Sequence, residues 1–233
     1  SNVIEFISKD NDGFGIALRS DIGDVSDPCT NITVSNNTVT TGLSAHGIYG
    51  SIVTDSTISG NTAYRIRFEP SAGGAINNIV IDGNTVTGRI GVGRDADDTK
   101  SVSNITISNN SITALETYAY EALDTGYVTG TINVFGNTIV EPKPDYYGMV
   151  LSDRGVGGTY NVYKNTISTV DRGINSDGGG TLNIYQNLIT ASGVGTSSDD
   201  VGIRMGSVAA STLYANRNIL DGFYIGFNLN TTG

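Results

Sequence analysis

Side chains able to do chemistry on a polar substrate are few in this chain, and the cationic ones cluster. Four of its nine arginines are Arg65, Arg67, Arg89 and Arg94. Arginine forks bind carboxylates bidentately, so a basic cluster within an acidic chain points to an acidic partner, with a uronic-acid polymer as the natural choice. The competing role is ion pairing with Glu69, Asp95, Asp97 and Asp98 on a solvated face. Acid–base work on sugars needs two carboxyls about 5–10 Å apart on one surface. Glu69, Asp95, Glu121, Asp124, Asp153 and Asp177 supply several such pairs, and no pair is singled out. Elimination or epimerisation needs a base for the proton beside a carboxylate and a cation that neutralises that carboxylate. Arg67, Arg94, Glu69, Asp95, Glu121 and Asp124 are the candidate catalytic groups. Arg65, Arg89, Tyr49, His46 and Asp153 are candidates for holding substrate. His46, the only histidine, lies in a Ser-Ala-His-Gly turn, where the ordinary role is that of an exposed turn residue. Asp95-Ala96-Asp97-Asp98 has the clustered carboxylates calcium prefers but lacks EF-hand spacing, so a solvated acidic loop is the simpler reading. No other cofactor is expected, because nucleophile elbows, phosphate loops and zinc spacings are absent.

The elements that position these groups repeat. Asn37, Asn61, Asn84, Asn110, Asn137, Asn165, Asn187 and Asn218 recur at intervals of 24, 23, 26, 27, 28, 22 and 31 residues. Self-similarity at such a period marks a solenoid, whose units bury their apolar faces by stacking on their neighbours. Three positions before each asparagine stand Val34, Ile58, Ile81, Ile107, Val134, Val162, Ile184 and Ala215. Two positions after it stand Val39, Ala63, Val86, Ile112, Ile139, Ile167, Ile189 and Leu220. Residues of equal parity face one side of a strand. The asparagine itself occupies a bend, where its amide can bond to the rungs above and below. A third strand follows, as in Gly15-Ile16-Ala17-Leu18, Gly148-Met149-Val150-Leu151 and Gly202-Ile203-Arg204-Met205; its register around Glu121-Ala122-Leu123-Asp124 is open by one residue. The expectation is an all-β, right-handed, single-stranded parallel β-helix of eight to nine rungs. It forms one domain over residues 1–233, a piece of a longer protein or one whose ends another subunit covers.

Composition agrees. The 233 residues are 38% hydrophobic and 15% charged, with 31 glycines, and helical periodicity is missing. A net charge of −10 argues against phosphate-backbone binding and against anionic membrane surfaces. No apolar run reaches the length of a membrane span. Cys29 is the only cysteine, which excludes an intramolecular disulfide and a cysteine metal cluster.

The pattern Asn-Ile-Thr-Ile-Ser-Asn-Asn-Ser-Ile, at Asn104–Ile112, followed by Gly-Ile-x-Leu strands, resembles the pectin-lyase-like right-handed β-helix superfamily over almost the whole chain. That superfamily holds polysaccharide lyases, epimerases, glycoside hydrolases, tailspikes and adhesins. The resemblance implies an asparagine ladder between the second and third sheets and a functional face on the first. It also implies an extracellular, cell-surface or virion location and a polysaccharide partner. The Asp-Pro-His-Asp run of alginate epimerases is absent, as is a full set of polygalacturonase acidic motifs. A non-catalytic stalk or adhesion segment is therefore the alternative, with homo-oligomerisation through the ends.

Two further features are legible. The connection from Asn61 to Ile66 spans 5 residues and that from Asn84 to Ile90 spans 6, against 11 to 16 for bulkier rungs such as Asn37 to Ile48 or Asn187 to Ile203. This predicts a dip beside the arginines, and loops of variable length on a rigid scaffold are where binding resides. Phe135, Tyr163 and Tyr185 place aromatics on one outward column. Packing is their first expected role, partner contact the second and sugar stacking the third.

Overall fold

The computed structural model describes residues 2–5, 13–19, 28–40, 46–70, 74–93, 101–115, 121–126, 128–144, 146–151, 158–170, 172–192, 200–206 and 211–229. These residues form a right-handed parallel β-solenoid of three nine-stranded sheets and no helix. One middle turn shows the plan. Ser101–Ser108 lies in the second sheet, Ser111–Thr113 in the third and Glu121–Thr125 in the first. The chain then returns to the second sheet at Thr131–Phe135, beside its predecessor.

The aliphatic columns fill the interior. Ile81, Ile107, Val134, Val162 and Ile184 are buried and in register, as are Val86, Ile112, Ile139, Ile167 and Ile189. Each such side chain contributes about 1.5–3 kcal/mol by leaving water. Tyr160, on the same inward column as Ile132 and Leu182, is the largest fully buried residue.

The asparagine ladder is continuous. Asn110 Nδ2 donates to Ile81 O at 2.9 Å and to Asn137 Oδ1 at 3.0 Å, while the Asn110 backbone NH donates to the same oxygen at 2.9 Å. The pattern runs from Asn37 to Asn218. The residue before each ladder asparagine has positive φ in all eight turns. Gly60, Gly83 and Gly136 adopt it at no steric cost, Asn36 and Asn109 at little, and Lys164, Gln186 and Arg217 against their preference.

A second bend separates the early turns from the late ones. Six residues before the ladder, Asn31, Asp55, Asn78 and Asn104 also have positive φ. Asn31 divides its second-sheet strand in two, while the other three stay inside continuous strands and drop out of the pairing register. The four later turns carry Thr131, Thr159, Thr181 and Thr212 there, stacked in register at or next to the starts of their strands and without positive φ.

Candidate functional site

The open register on the first sheet resolves with Leu123 paired to Ile90 and Met149, which points Leu123 inward and Asp124 outward. The outward column then reads Ala17, Tyr49, Arg67, Gly91, Asp124, Val150, Asn175, Arg204 and Asn228. Arg67 and Asp124 stand two rungs apart, about 10 Å at the ordinary strand spacing. Gly91 lies between them, and a Cβ built there meets nothing within 4 Å. The result is a slot on the column between a guanidinium and a carboxyl, with bare backbone as its floor. Gly91 and Asp124 are both buried and Arg67 is half-buried.

Short connections border this slot, as the spacing predicts. Only Tyr64 and Arg65 separate strand Thr62–Ala63 from Ile66–Phe68, and Thr87, Gly88 and Arg89 separate Thr85–Val86 from Ile90–Val92. Arg67 pairs with Glu69 two residues on. Alternation places both outward, and the carboxylate holds the guanidinium across the sheet face. Arg65 lies over the Tyr64 ring, 5.4 Å from its centroid.

Two groups differ from expectation. Parity beside Ile90 predicts an outward Arg89, yet Arg89 is only 5% exposed and Glu121 only 4%. Arg89 Nη1 meets Glu121 Oε1 at 2.8 Å in a buried ion pair that ties one rung to the next. The connection before Ile90 is so short that Arg89 still lies in the corner between sheets, where strand alternation does not apply. His46 opens the first-sheet strand His46–Ser51 rather than sitting in a turn. Its ring stacks on Phe14 at 5.4 Å and 15°, and Tyr49 tilts against both. This aromatic patch adjoins Arg67. Phe14 is its contribution that the sequence did not single out, although its place two residues before an inward isoleucine, like that of His46, carries the signal.

Asp124 is 3% exposed, so its carboxyl is buried although strand parity points it outward. Asp177 is exposed and accepts a hydrogen bond from Asn175 Nδ2 at 2.7 Å. Arg94, Asp95, Asp97, Asp98 and Asp153 lie outside the described residues. Among the described residues no group of three His, Cys, Asp or Glu side chains is arranged to hold a metal ion, and no helix is long and apolar enough to cross a membrane. Cys29 is half-buried against the core and free.

The aromatic column on the second sheet packs on itself. Phe135, Tyr163 and Tyr185 stack at 4.9 and 5.0 Å with planes 11° and 2° apart. Their faces are therefore turned to one another, which leaves the middle ring little face for a sugar. Burial pushes the Tyr163 phenol up, and the neighbouring Tyr185 adds to the shift.

Comparison of the chain with protein families, curated proteins and solved structures returns no match. The reading of this site therefore rests on its own geometry.

Proposed function

We propose that this chain is a carbohydrate-active β-helix of the pectin-lyase-like kind that binds an acidic, uronate-containing polysaccharide along the outer face of its first sheet. The observation that carries the reading is the column Tyr49, Arg67, Gly91, Asp124. A uronate ring seated over Gly91 would set its carboxylate against Arg67 and its ring carbon toward Asp124. Arg67, braced by Glu69, neutralises the carboxylate and so acidifies the proton on the adjacent carbon. Asp124 takes that proton as the base. This step is common to elimination and epimerisation. Both favour a cation opposite one carboxyl, whereas hydrolysis would need Glu69, which is paired with Arg67, to serve as a second carboxyl beside Asp124. Tyr49 and the His46–Phe14 stack offer apolar surface to the next sugar. A polymer partner of this kind places the protein outside the cell, at a cell surface or on a virion.

The test is incubation with a panel of uronate polymers while ultraviolet absorbance of unsaturated product, C5 configuration and reducing ends are followed. Arg67→Ala and Asp124→Asn are expected to lower turnover at least about a hundredfold with thermal midpoints near wild type. Absence of binding and of product on every polymer would overturn the reading. The outward stack of Phe135, Tyr163 and Tyr185 favours the second reading of a non-catalytic stalk or adhesion segment packed on a partner. In that case sedimentation would show self-association and glycan binding would be nil.

A further inference from the structure

The outer face of the first sheet carries a second polar constellation, five rungs from Arg67, that the arginine spacing in the sequence does not announce. Arg204 belongs to the same outward column and is half-buried. Its Nη1 donates to Tyr147 Oη at 3.0 Å, two rungs back. The Arg204 side chain thus runs over the rung of Asn175 on its way to Tyr147. Arg172 joins the group from the intervening rung, its guanidinium 5.2 Å from the centre of the Tyr147 ring. Two cations therefore gather on one tyrosine in a protein of net charge −10. Among the described residues no carboxylate pairs with Arg204.

The second observation is independent of the first. Asn175 is 1% exposed, and its Oδ1 is buried without a hydrogen-bond partner, although its Nδ2 is satisfied by Asp177. A buried acceptor left unmade costs about 1–3 kcal/mol, so such groups mark places where a donor is missing. The border of the constellation is also lean. Only Val170 and Asp171 separate Thr166–Thr169 from Arg172–Ser176, the same narrowness found beside Arg67. Counting from the ladder asparagine conceals this, because Thr166–Thr169 is longer than the corresponding strands Thr62–Ala63 and Thr85–Val86.

We infer that Tyr147, Arg172, Asn175 and Arg204 form a remote anchoring subsite for an acidic sugar of the polymer held at Arg67. This rests on the reading given under Proposed function. Arg204 and Arg172 take the anionic group, and Asn175 Oδ1 accepts a hydrogen bond from a sugar hydroxyl. Arg67 and Arg204 lie five rungs apart on one straight column, about 24 Å. The rung repeat is close to the advance per residue of an extended hexuronate chain. One chain of about six sugars thus reaches both sites without bending, and the two anchors act together as linked contacts. The protein measures polymer length.

The experiment is calorimetric titration of the whole chain with oligogalacturonates and oligoalginates from dimer to decamer. Wild type is expected to show two rises in affinity, the first with short oligomers and the second, of about tenfold or more, once the chain reaches about six residues. Arg204→Gln and Asn175→Ala should each remove the second rise and leave short-oligomer affinity unchanged. Unchanged binding of short oligomers also certifies that the variants are folded. Arg67→Ala should remove the first rise. If wild type binds short oligomers but gains nothing with length, or if Arg204→Gln keeps the second rise, the remote subsite is wrong and the proposed function stands. If wild type binds no oligomer of any length, both fall together.

Discussion

Single residues in this protein are constrained by what stacks above and below them. The Asn110 amide is fully used, with Oδ1 accepting from Asn84 and Nδ2 donating to Ile81 O and Asn137 Oδ1. Asn110→Ala is therefore expected to strand several buried backbone groups and cost about 3–5 kcal/mol in chemical denaturation. Lys164 tests the opposite direction. Its φ of 55° sits where neighbouring turns use Gly60, Gly83 and Gly136, and its side chain is exposed. Lys164→Gly should raise stability by up to about 1 kcal/mol, since relief of left-handed strain exceeds the entropic cost of glycine. Tyr163 sets a pH dependence. Its phenol is held above its ordinary value in the fold, so the unfolded chain ionises first on the alkaline side. The contribution is complete below about pH 10 and is lost as pH rises beyond it. Tyr163→Phe should flatten the alkaline limb of a thermal-midpoint profile.

Strands and the corners between them decide what meets in the site. The strand parity of Arg67 and Glu69 was readable from Ile66 and Phe68, and the structure keeps it. Arg89 was not readable in the same way, because a three-residue connection leaves it in a corner and turns its guanidinium along the helix axis to Glu121. Replacing one member of that buried pair leaves the other charge uncompensated. Glu121→Ala is expected to cost about 3–5 kcal/mol, while Arg89→Met with Glu121→Leu should restore most of it. A double-mutant cycle by urea unfolding separates these outcomes. The second-sheet bend is an element-scale feature whose signal was present. Asparagine or aspartate six residues before the ladder in the first four turns gives way to threonine in the last four, and the left-handed residue there disappears at that switch. The register about Leu123 was one residue uncertain until pairing with Ile90 and Met149 fixed which carboxyl faces the slot.

At the scale of the molecule, the strands of each turn pair only with those of its neighbours, although the Arg204 side chain skips a turn to reach Tyr147. Stability is therefore close to a sum of nearest-neighbour terms. A break in the middle should uncouple the two halves, whereas one near an end should only fray. Asn110→Ala is expected to broaden or split the unfolding transition, and Asn218→Ala, whose half-buried amide bonds Asn187 and Ile184 O, to lower amide-exchange protection in the last described turns alone. Hydrogen exchange across the chain checks both. The sequence by itself determined the solenoid, its three strands per turn, the ladder and the inward columns. These follow from stacking like on like every 22 to 31 residues, a local rule written into each repeat. The tertiary structure alone decided the meetings of residues that do not repeat: Arg67 and Asp124 across the Gly91 gap, Arg89 with Glu121, and Arg204 with Tyr147 57 residues away. Their partnership depends on how each connection turns its corner and in which register the next strand lands, and no periodic pattern encodes either.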